Sequence, residues 1–198
     1  MALVTHSRYI VHPYKFNIWL AIVSMVMIFA AFTSAYVVKK GDVKVWQDIV
    51  LPQIFTVSTI VILMSSLFMH LAYVSFKKNR IYWYRGFIII TFILGASFLT
   101  LQIQGWNELV NSGVYLDGNV AGSFIYVISG AHFLHVAGGV VSLLVFAVMA
   151  FTKFKTPVDT LMENIDPNKN VAIEVMMTYW HFVDFLWLYL FFFFILNR

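Results

Sequence analysis

The sequence predicts an all-α integral membrane bundle of five transmembrane helices, with the N-terminus inside and the C-terminus outside. Three observations lead to this prediction. Hydrophobic residues make up 61% of the 198 residues and charged residues only 11%, whereas about a quarter of the residues of a soluble domain are charged. Five apolar segments approach or exceed the roughly 20 residues that cross a bilayer. The basic residues concentrate in the connections between those segments, where orientation signals lie.

The composition also excludes several classes of protein. A soluble fold of this length could not bury so much apolar surface. The chain has no cysteine, which excludes disulfides, thiolate metal sites and cysteine chemistry. Its net charge of +4 does not indicate nucleic-acid binding, because the basic residues flank apolar runs. We therefore expect no nucleic-acid partner.

The five apolar segments are predicted as helices of one membrane domain over residues 1–198. The third is the shortest and ends at the polar residues Gln102 and Gln104. The fourth is the longest, so we expect it to tilt or to project beyond the hydrocarbon. No internal repeat or soluble domain interrupts the series. The predicted helices lie at about 16–38, 52–74, 86–104, 121–152 and 171–196.

The loop charges orient the bundle. With the N-terminus inside, 9 of the 13 basic residues face the cytoplasm and 4 face the opposite side, as the positive-inside rule requires. The run KKNR at 77–80 is then a helix-end anchor rather than a nucleic-acid patch. The cytoplasmic set is Arg8, Lys15, Lys77, Lys78, Arg80, Arg85, Lys153, Lys155 and Lys169, and the outer set is Lys39, Lys40, Lys44 and Arg198.

Ionisable residues inside the apolar segments are the candidate functional residues. A charged side chain at mid-membrane costs at least about 2.5 kcal/mol, so such residues face the bundle interior and need partners. In the last segment His181 and Asp184 lie three residues apart, on one helix face flanked by Trp180 and Trp187. We expect the carboxylate of Asp184 to pair with the imidazole of His181. His70, near the cytoplasmic end of the second segment, has no obvious mate.

The fourth segment has a second polar face, set into small residues. His132 and His135 also lie three apart, within the stretch GAHFLHVAGG at 130–139. Small residues allow a neighbouring helix to approach closely, so Gly130, Gly138 and Gly139 predict a helix-packing seam. At 1.5 Å per residue, His135 and His181 fall within one or two turns of the same depth. The sequence therefore predicts that these two polar faces meet.

Three functions fit buried histidines of this kind. The first is a membrane cytochrome that binds haem b between histidines of two helices. Its weakness is spacing, because His132 and His135 are only about 4.5 Å apart along the helix axis, too close to serve two haems. The second is a small proton-coupled transporter, although no matching pair of segments is broken by Gly or Pro. The third is a structural role, in which neighbouring helices satisfy the histidines.

Three stretches resemble subunit III of the haem–copper oxidases. The segment at 117–139 reads DGNVAGSFIYVISGAHFLHVAGG and is similar to that family's Gly-x-His-x-x-His-Val pattern. The segment at 179–192 reads YWHFVDFLWLYLFF and resembles its Tyr-Trp-His-Phe-Val-Asp-x-x-Trp signature. The stretch GASFLTLQIQGW at 95–106 is similar to the family's Phe-x-x-x-Gln stretch. Ser24 and Ala35–Tyr36 in the first segment are a looser match. The matches run over about 170 residues, and a five-helix form is what the shorter bacterial members look like.

The resemblance implies a non-catalytic subunit of a respiratory terminal oxidase in a bacterial cytoplasmic membrane. In that family subunits I and II hold the haems and the copper, and subunit III holds none. Its helices form a cleft that binds phospholipid against subunit I, and it supports the active centre during turnover, proton uptake and oxygen access. The implied partners are subunit I, subunit II, small subunits and membrane lipids, with membership of a respiratory supercomplex left open. The residues expected to bind lipid or to act as structural polar groups are Tyr179, Trp180, His181, Asp184, His132, His135, Gln102 and His70.

Two positions depart from the family pattern. The family usually has an acid directly after the serine of helix one, where this chain has Met25, and we expect this side chain to face lipid. The family often has a glutamate near the end of its glutamine-containing helix, where this chain has Gly105. These departures weaken a role of helix one in proton uptake. Whether the whole enzyme oxidises cytochrome c or a quinol is decided in other subunits.

Overall fold

The computed structural model describes residues 12–43, 46, 48–152 and 167–197, with residues 167–170 described as backbone only. Within these ranges the protein is all-helical, with five helices long and apolar enough to cross a membrane. This confirms the predicted fold class. The helices are α1 Pro13–Asp42, α2 Gln53–Lys77, α3 Ile81–Asn111, α4 Val120–Thr152 and α5 Pro167–Leu196.

The helices extend beyond their apolar cores, most of all in α3. The sequence predicted the third helix to be the shortest, yet α3 has 31 residues and α2, with 25, is the shortest of the five. The prediction was wrong because it ended α3 at its glutamines. Gln102 is buried and donates from Nε2 to Ser58 Oγ of α2 at 3.2 Å, so the helix continues through it.

Local sequence explains where α2 and α3 end. Asn79 has a φ of 56° and Gly113 a φ of 80°, the left-handed conformation that asparagine and glycine tolerate best. After α2, the Arg80 amide donates to the carbonyl of Ser75 at 2.9 Å. After α3, the Val114 amide donates to the carbonyl of Leu109 at 2.9 Å. Both ends therefore close their last carbonyls with a Schellman-type cap.

α4 and α5 each pack closely against three other helices. α5 packs against α1, α2 and α4, while α2 also packs on α3, α3 on α4, and α1 on α4. α1 contributes one narrow stripe, which includes Phe29 and Tyr36, and exposes most of its other apolar side chains. Met25 belongs to that buried stripe, with 5% of its surface exposed. The expectation that Met25 faces lipid is therefore wrong.

The direction of the bundle across the membrane stays a prediction. The basic residues Arg8, Lys44, Lys153, Lys155 and Arg198 and the side chain of Lys169, used in the charge comparison, lie outside the described residues. The described part of the chain does hold Lys15 in an ion pair with Glu174 of α5, with Nζ and Oε1 2.8 Å apart. That pair joins the starts of α1 and α5 at one end of the bundle.

Candidate functional site

Trp180 joins α5 to three other helices. Its side chain is fully buried, and its indole Nε1 donates a hydrogen bond to Ser65 Oγ of α2 at 3.0 Å. The ring lies between two glycines. A Cβ at Gly95 of α3 would come within 2.8 Å of the indole, and a Cβ at Gly139 of α4 within 2.9 Å. The large ring thus fits here because both facing positions lack a side chain.

Trp187 makes a similar set of contacts two turns further along α5. Its Nε1 donates to Thr59 Oγ1 of α2 at 2.9 Å. Its ring stacks on His132 of α4, with centroids 5.2 Å apart and an interplanar angle of 28°. Phe98 of α3 meets it edge-on at 5.3 Å. The two tryptophans therefore connect the same four helices at two depths.

His132 is enclosed by aromatic rings. Its side chain has no exposed surface, and the ring centroids of Phe29, Phe98 and Trp187 lie 6.3, 6.0 and 5.2 Å from its own. Neither ring nitrogen has a hydrogen-bond partner among the described residues. A haem could reach those nitrogens only by displacing the surrounding rings, so the packing disfavours His132 as an axial ligand.

His135 is tied to its own helix. Its Nδ1 lies 2.7 Å from the carbonyl oxygen of Ala131, and because a carbonyl only accepts, Nδ1 is the donor. Tyr179 of α5 donates its hydroxyl to the carbonyl of His135 at 2.8 Å. Positions 179 and 181 are about 200° apart around a helix, so His181 points to the other side of α5. The predicted meeting of His135 and His181 is therefore wrong.

His181 contacts α2 instead. Its Nδ1 lies 2.6 Å from Ser66 Oγ, and its ring is 6.1 Å from that of His70, centroid to centroid. His70, which had no obvious mate in the sequence, thus contacts His181. His181 is half-buried and His70 is exposed, so this polar contact lies at the edge of the bundle.

Asp184 lies deeper, with 2% of its surface exposed. Neither carboxylate oxygen has a hydrogen-bond partner in the part of the chain that the structure describes. The predicted pairing of Asp184 with His181 is wrong, because the offset of about 60° between positions three apart turns Asp184 inward while His181 stays at the edge.

The glycine seam of α4 is narrower than predicted. A Cβ at Gly139 would meet the rings of Trp180 and Tyr179, whereas one at Gly130 or Gly138 would meet nothing within 4 Å. Gly105 of α3, at the position of the family's glutamate, faces Phe55, whose Cζ would lie 2.9 Å from an added Cβ. A longer side chain cannot enter there without moving that ring.

Sequence reasoning missed the hydroxyl groups of α2. Gln102 and Trp187 bond to Ser58 and Thr59, and Trp180 and His181 bond to Ser65 and Ser66. A detectable pattern was present, because the two hydroxyl pairs of α2 are seven residues apart, the same spacing as Trp180 and Trp187. Antiparallel helices with matching spacings can bond at two successive levels. The missed hydroxyl residues are Ser58, Thr59, Ser65 and Ser66.

A groove opens between α1, α4 and α5 at the end of the bundle that holds the Lys15–Glu174 ion pair. Its volume is about 880 Å³, and its walls are mostly apolar. Its polar lining residues include Asn17 and Ser142. The full lining is Tyr14, Asn17, Ile18, Ala21, Gly138, Ser142, Phe146, Ala172, Val175, Met176 and Tyr179. A largely apolar ligand suits a groove of this character.

No metal site is formed by the described side chains: no group of three or more His, Asp or Glu among them could hold an ion. The ionisable residues of the membrane segments are distributed instead. His132 is enclosed by aromatic rings, and His135 is hydrogen-bonded to its own helix. His70 and His181 contact each other through their rings. His132 and His135 thus take part in the packing of α4 against its neighbours.

Comparison with known proteins gives independent evidence on the family of this chain. The family profile described as cytochrome c oxidase subunit III matches residues 2–197. A protein named probable cytochrome c oxidase subunit 3, from Mycobacterium tuberculosis strain H37Rv, is 29% identical over 133 residues, 67% of this chain and 61% of that protein. This chain thus spans less than two thirds of the length of that relative.

Two further relatives align over more of the chain. Cytochrome c oxidase subunit 3 of Thermostichus vulcanus is 29% identical over 176 residues, which is 86% of this chain and 80% of the relative. Cytochrome bo(3) ubiquinol oxidase subunit 3 of Buchnera aphidicola is 23% identical over 198 residues, 98% of this chain and 91% of the relative. One of these two relatives is thus named as a subunit of a cytochrome c oxidase and the other as a subunit of a quinol oxidase.

Proposed function

We propose a function for this chain from one established premise: it belongs to the cytochrome c oxidase subunit III family. On that premise the chain is the third subunit of a haem–copper oxidase in a bacterial cytoplasmic membrane, N-terminus inside. The profile match over residues 2–197 is the observation that carries the proposal. The chain itself contributes structure, and the partner subunits I and II contribute the haems and the copper that reduce oxygen and pump protons.

The histidine geometry supports a subunit without redox centres. Two of the four histidines that raised the haem alternative, His132 and His135, are engaged in the packing of α4. His132 is packed under three rings, and Nδ1 of His135 is bonded within α4. Their arrangement is the one expected of side chains that fix helices against each other.

The central tryptophans support a role in stabilising subunit I. A subunit that braces the active centre during turnover must itself be rigid, and Trp180 and Trp187 connect four helices through ring packing and indole hydrogen bonds. Support of proton uptake is a weaker part of the proposal. The usual acid of helix one is replaced by the buried Met25, so that helix offers no carboxylate at this position.

Phospholipid is the proposed ligand of the groove between α1, α4 and α5. Its apolar walls suit acyl chains, and the tyrosine, asparagine and serine side chains of its lining suit the polar head group. Ala21 lines the groove, while Val23 of the same helix is 53% exposed and lies outside it. Native mass spectrometry should find less retained phospholipid in Ala21→Phe than in the matched control Val23→Phe. Equal retention in both variants would contradict lipid binding in this groove.

Purification from the native membrane tests the oxidase assignment. An affinity-tagged chain solubilised in mild detergent should bring with it a large haem-bearing subunit and oxygen-reducing activity. The dissociated chain should show no Soret absorption, and liposomes that hold it alone should show no proton-coupled uptake. A purified chain without a haem-bearing partner would contradict the proposal. A Soret band on the isolated chain would favour the haem b cytochrome, and uptake would favour the transporter.

A further inference from the structure

One surface of the bundle carries polar groups where a lipid-facing surface should have none. It is formed by two adjacent helices, with the exposed residues Leu63, Leu67 and His70 of α2 and the half-buried His181 and exposed Phe185 of α5. We refer to these five residues as the histidine face. Leu63, Leu67 and Phe185 are 43%, 52% and 70% exposed. The contact between His70 and His181 joins the two stripes.

The histidine face lies below the membrane surface. The Lys15–Glu174 pair has side chains 37% and 34% exposed, and such charges belong at the interface. His181 is seven residues further along α5 than Glu174, about 10 Å deeper at 1.5 Å per residue. His70 contacts His181 and therefore shares its depth. Both imidazoles thus lie within the hydrocarbon layer.

Hydrogen bonds to the described residues of this chain do not satisfy the two imidazoles. Ser66 bonds one nitrogen of His181, which leaves Nε2 at the half-exposed edge. His70 makes a ring contact with His181 and no hydrogen bond to another described residue. Lipid tails offer neither donors nor acceptors, so a face of this kind opposite lipid would be costly. A polar group from outside the chain would remove that cost.

We propose that the histidine face is the docking surface for a membrane-spanning helix of another oxidase subunit, which presents a carboxylate, amide or hydroxyl group to His70 and His181. This inference rests on the proposed function, because the partner is a subunit of that oxidase. The leucines and Phe185 supply apolar contact around the polar centre. The pattern matches interhelical recognition in membranes, where packing sets the fit and a buried hydrogen bond fixes the register.

A photo-crosslinking residue at position 185 tests which molecule covers the face. Replacing Phe185 by benzoylphenylalanine exchanges one exposed aromatic side chain for another. The matched control is the same replacement at Trp83 of α3, which is 62% exposed and lies outside the face. In the intact oxidase, the probe at 185 should crosslink to a transmembrane peptide of another subunit, identified by mass spectrometry, and the probe at 83 should not reach that peptide. Crosslinks at 185 to phospholipid alone would overturn the proposal.

Substitution of His70 tests the polar part of the surface. His70→Leu removes the imidazole without breaking a hydrogen bond to another described residue, and His70→Gln keeps a donor and an acceptor. We expect His70→Leu to weaken association with the subunit that crosslinks to position 185 about threefold, the usual effect of one interhelical hydrogen bond in a membrane. His70→Gln should restore most of it. Association of His70→Leu equal to that of the unsubstituted chain would overturn the proposal.

The proposed function and the docking surface can be rejected separately. If the unsubstituted chain brings no haem-bearing subunit, the proposed function is wrong and the docking surface falls with it. If that subunit copurifies normally while position 185 crosslinks only to lipid, the oxidase assignment stands and the histidine face alone is rejected.

Discussion

Gly139 shows how one missing side chain sets the approach of α4 to α5. A Cβ at this position would lie 2.9 Å from the ring of Trp180 and 3.1 Å from that of Tyr179. Neither ring can move away easily, because Trp180 is fully buried and also fills the space above Gly95. The glycine that decides the packing is therefore the one facing the largest side chain.

Gly139→Ala should destabilise the folded chain. The added methyl group overpacks the site, which costs about 1–3 kcal/mol of unfolding free energy. Gly130→Ala is the matched control, because a Cβ there meets nothing within 4 Å and alanine is the better helix former. Denaturation midpoints in detergent should fall for Gly139→Ala and stay equal or rise for Gly130→Ala. A fall of equal size in both would contradict the packing described here.

Asp184→Asn should leave assembly intact. The carboxyl group is buried and has no hydrogen-bond partner among the described residues, so the isosteric amide loses no bond and fills the same space with a neutral polar group. The yield of assembled oxidase should match that of the unsubstituted chain. A strong loss of yield would show that the carboxylate has an essential partner. Normal assembly with lost proton pumping would assign Asp184 a role in proton transfer.

At the scale of elements, α5 and α2 are joined by indole-to-hydroxyl hydrogen bonds at two depths. Trp187→Phe should lower the unfolding free energy by about 1–2 kcal/mol, because it removes the bond to Thr59 and part of the stacking on His132. Trp83→Phe, at a position 62% exposed, should change it by less than about 0.5 kcal/mol. Unfolding in detergent measures both. Equal effects of the two substitutions would contradict a central role for Trp187.

The sequence predicts these elements well and their rotations poorly. Hydropathy locates α4 within one residue of its observed start because lipid demands a continuous apolar run. It shortened α3 because Gln102 looked like an end, whereas Ser58 of another helix satisfies it. The partner of His181 could not be found from spacing along α5 alone. Which neighbour a residue faces depends on how helices rotate against each other, and only the three-dimensional packing decides that.

At the scale of the whole molecule, the orientation prediction can be tested because the chain has no cysteine. Lys78, between α2 and α3, and Asp117, between α3 and α4, are exposed residues at opposite ends of α3. Each can be replaced by a single cysteine. In intact cells a membrane-impermeant maleimide should label Asp117→Cys. It should label Lys78→Cys only after lysis. The reverse pattern would place the N-terminus outside.

The bundle combines a rigid centre with two surfaces open to other molecules. Ring packing and hydrogen bonds around Trp180 and Trp187 hold four helices together. The groove at α1 and the histidine face are the proposed sites for lipid and for a neighbouring subunit. Such an architecture suits a chain that stabilises a redox enzyme without holding a cofactor.

The most direct test of that account is the time course of oxygen consumption by the purified oxidase, prepared with and without this chain at equal haem content. The account predicts similar initial rates, followed by faster loss of activity during turnover in the preparation that lacks the chain. Adding the chain back should restore the longer lifetime. Identical lifetimes in the two preparations, or loss of haem together with the chain, would contradict it.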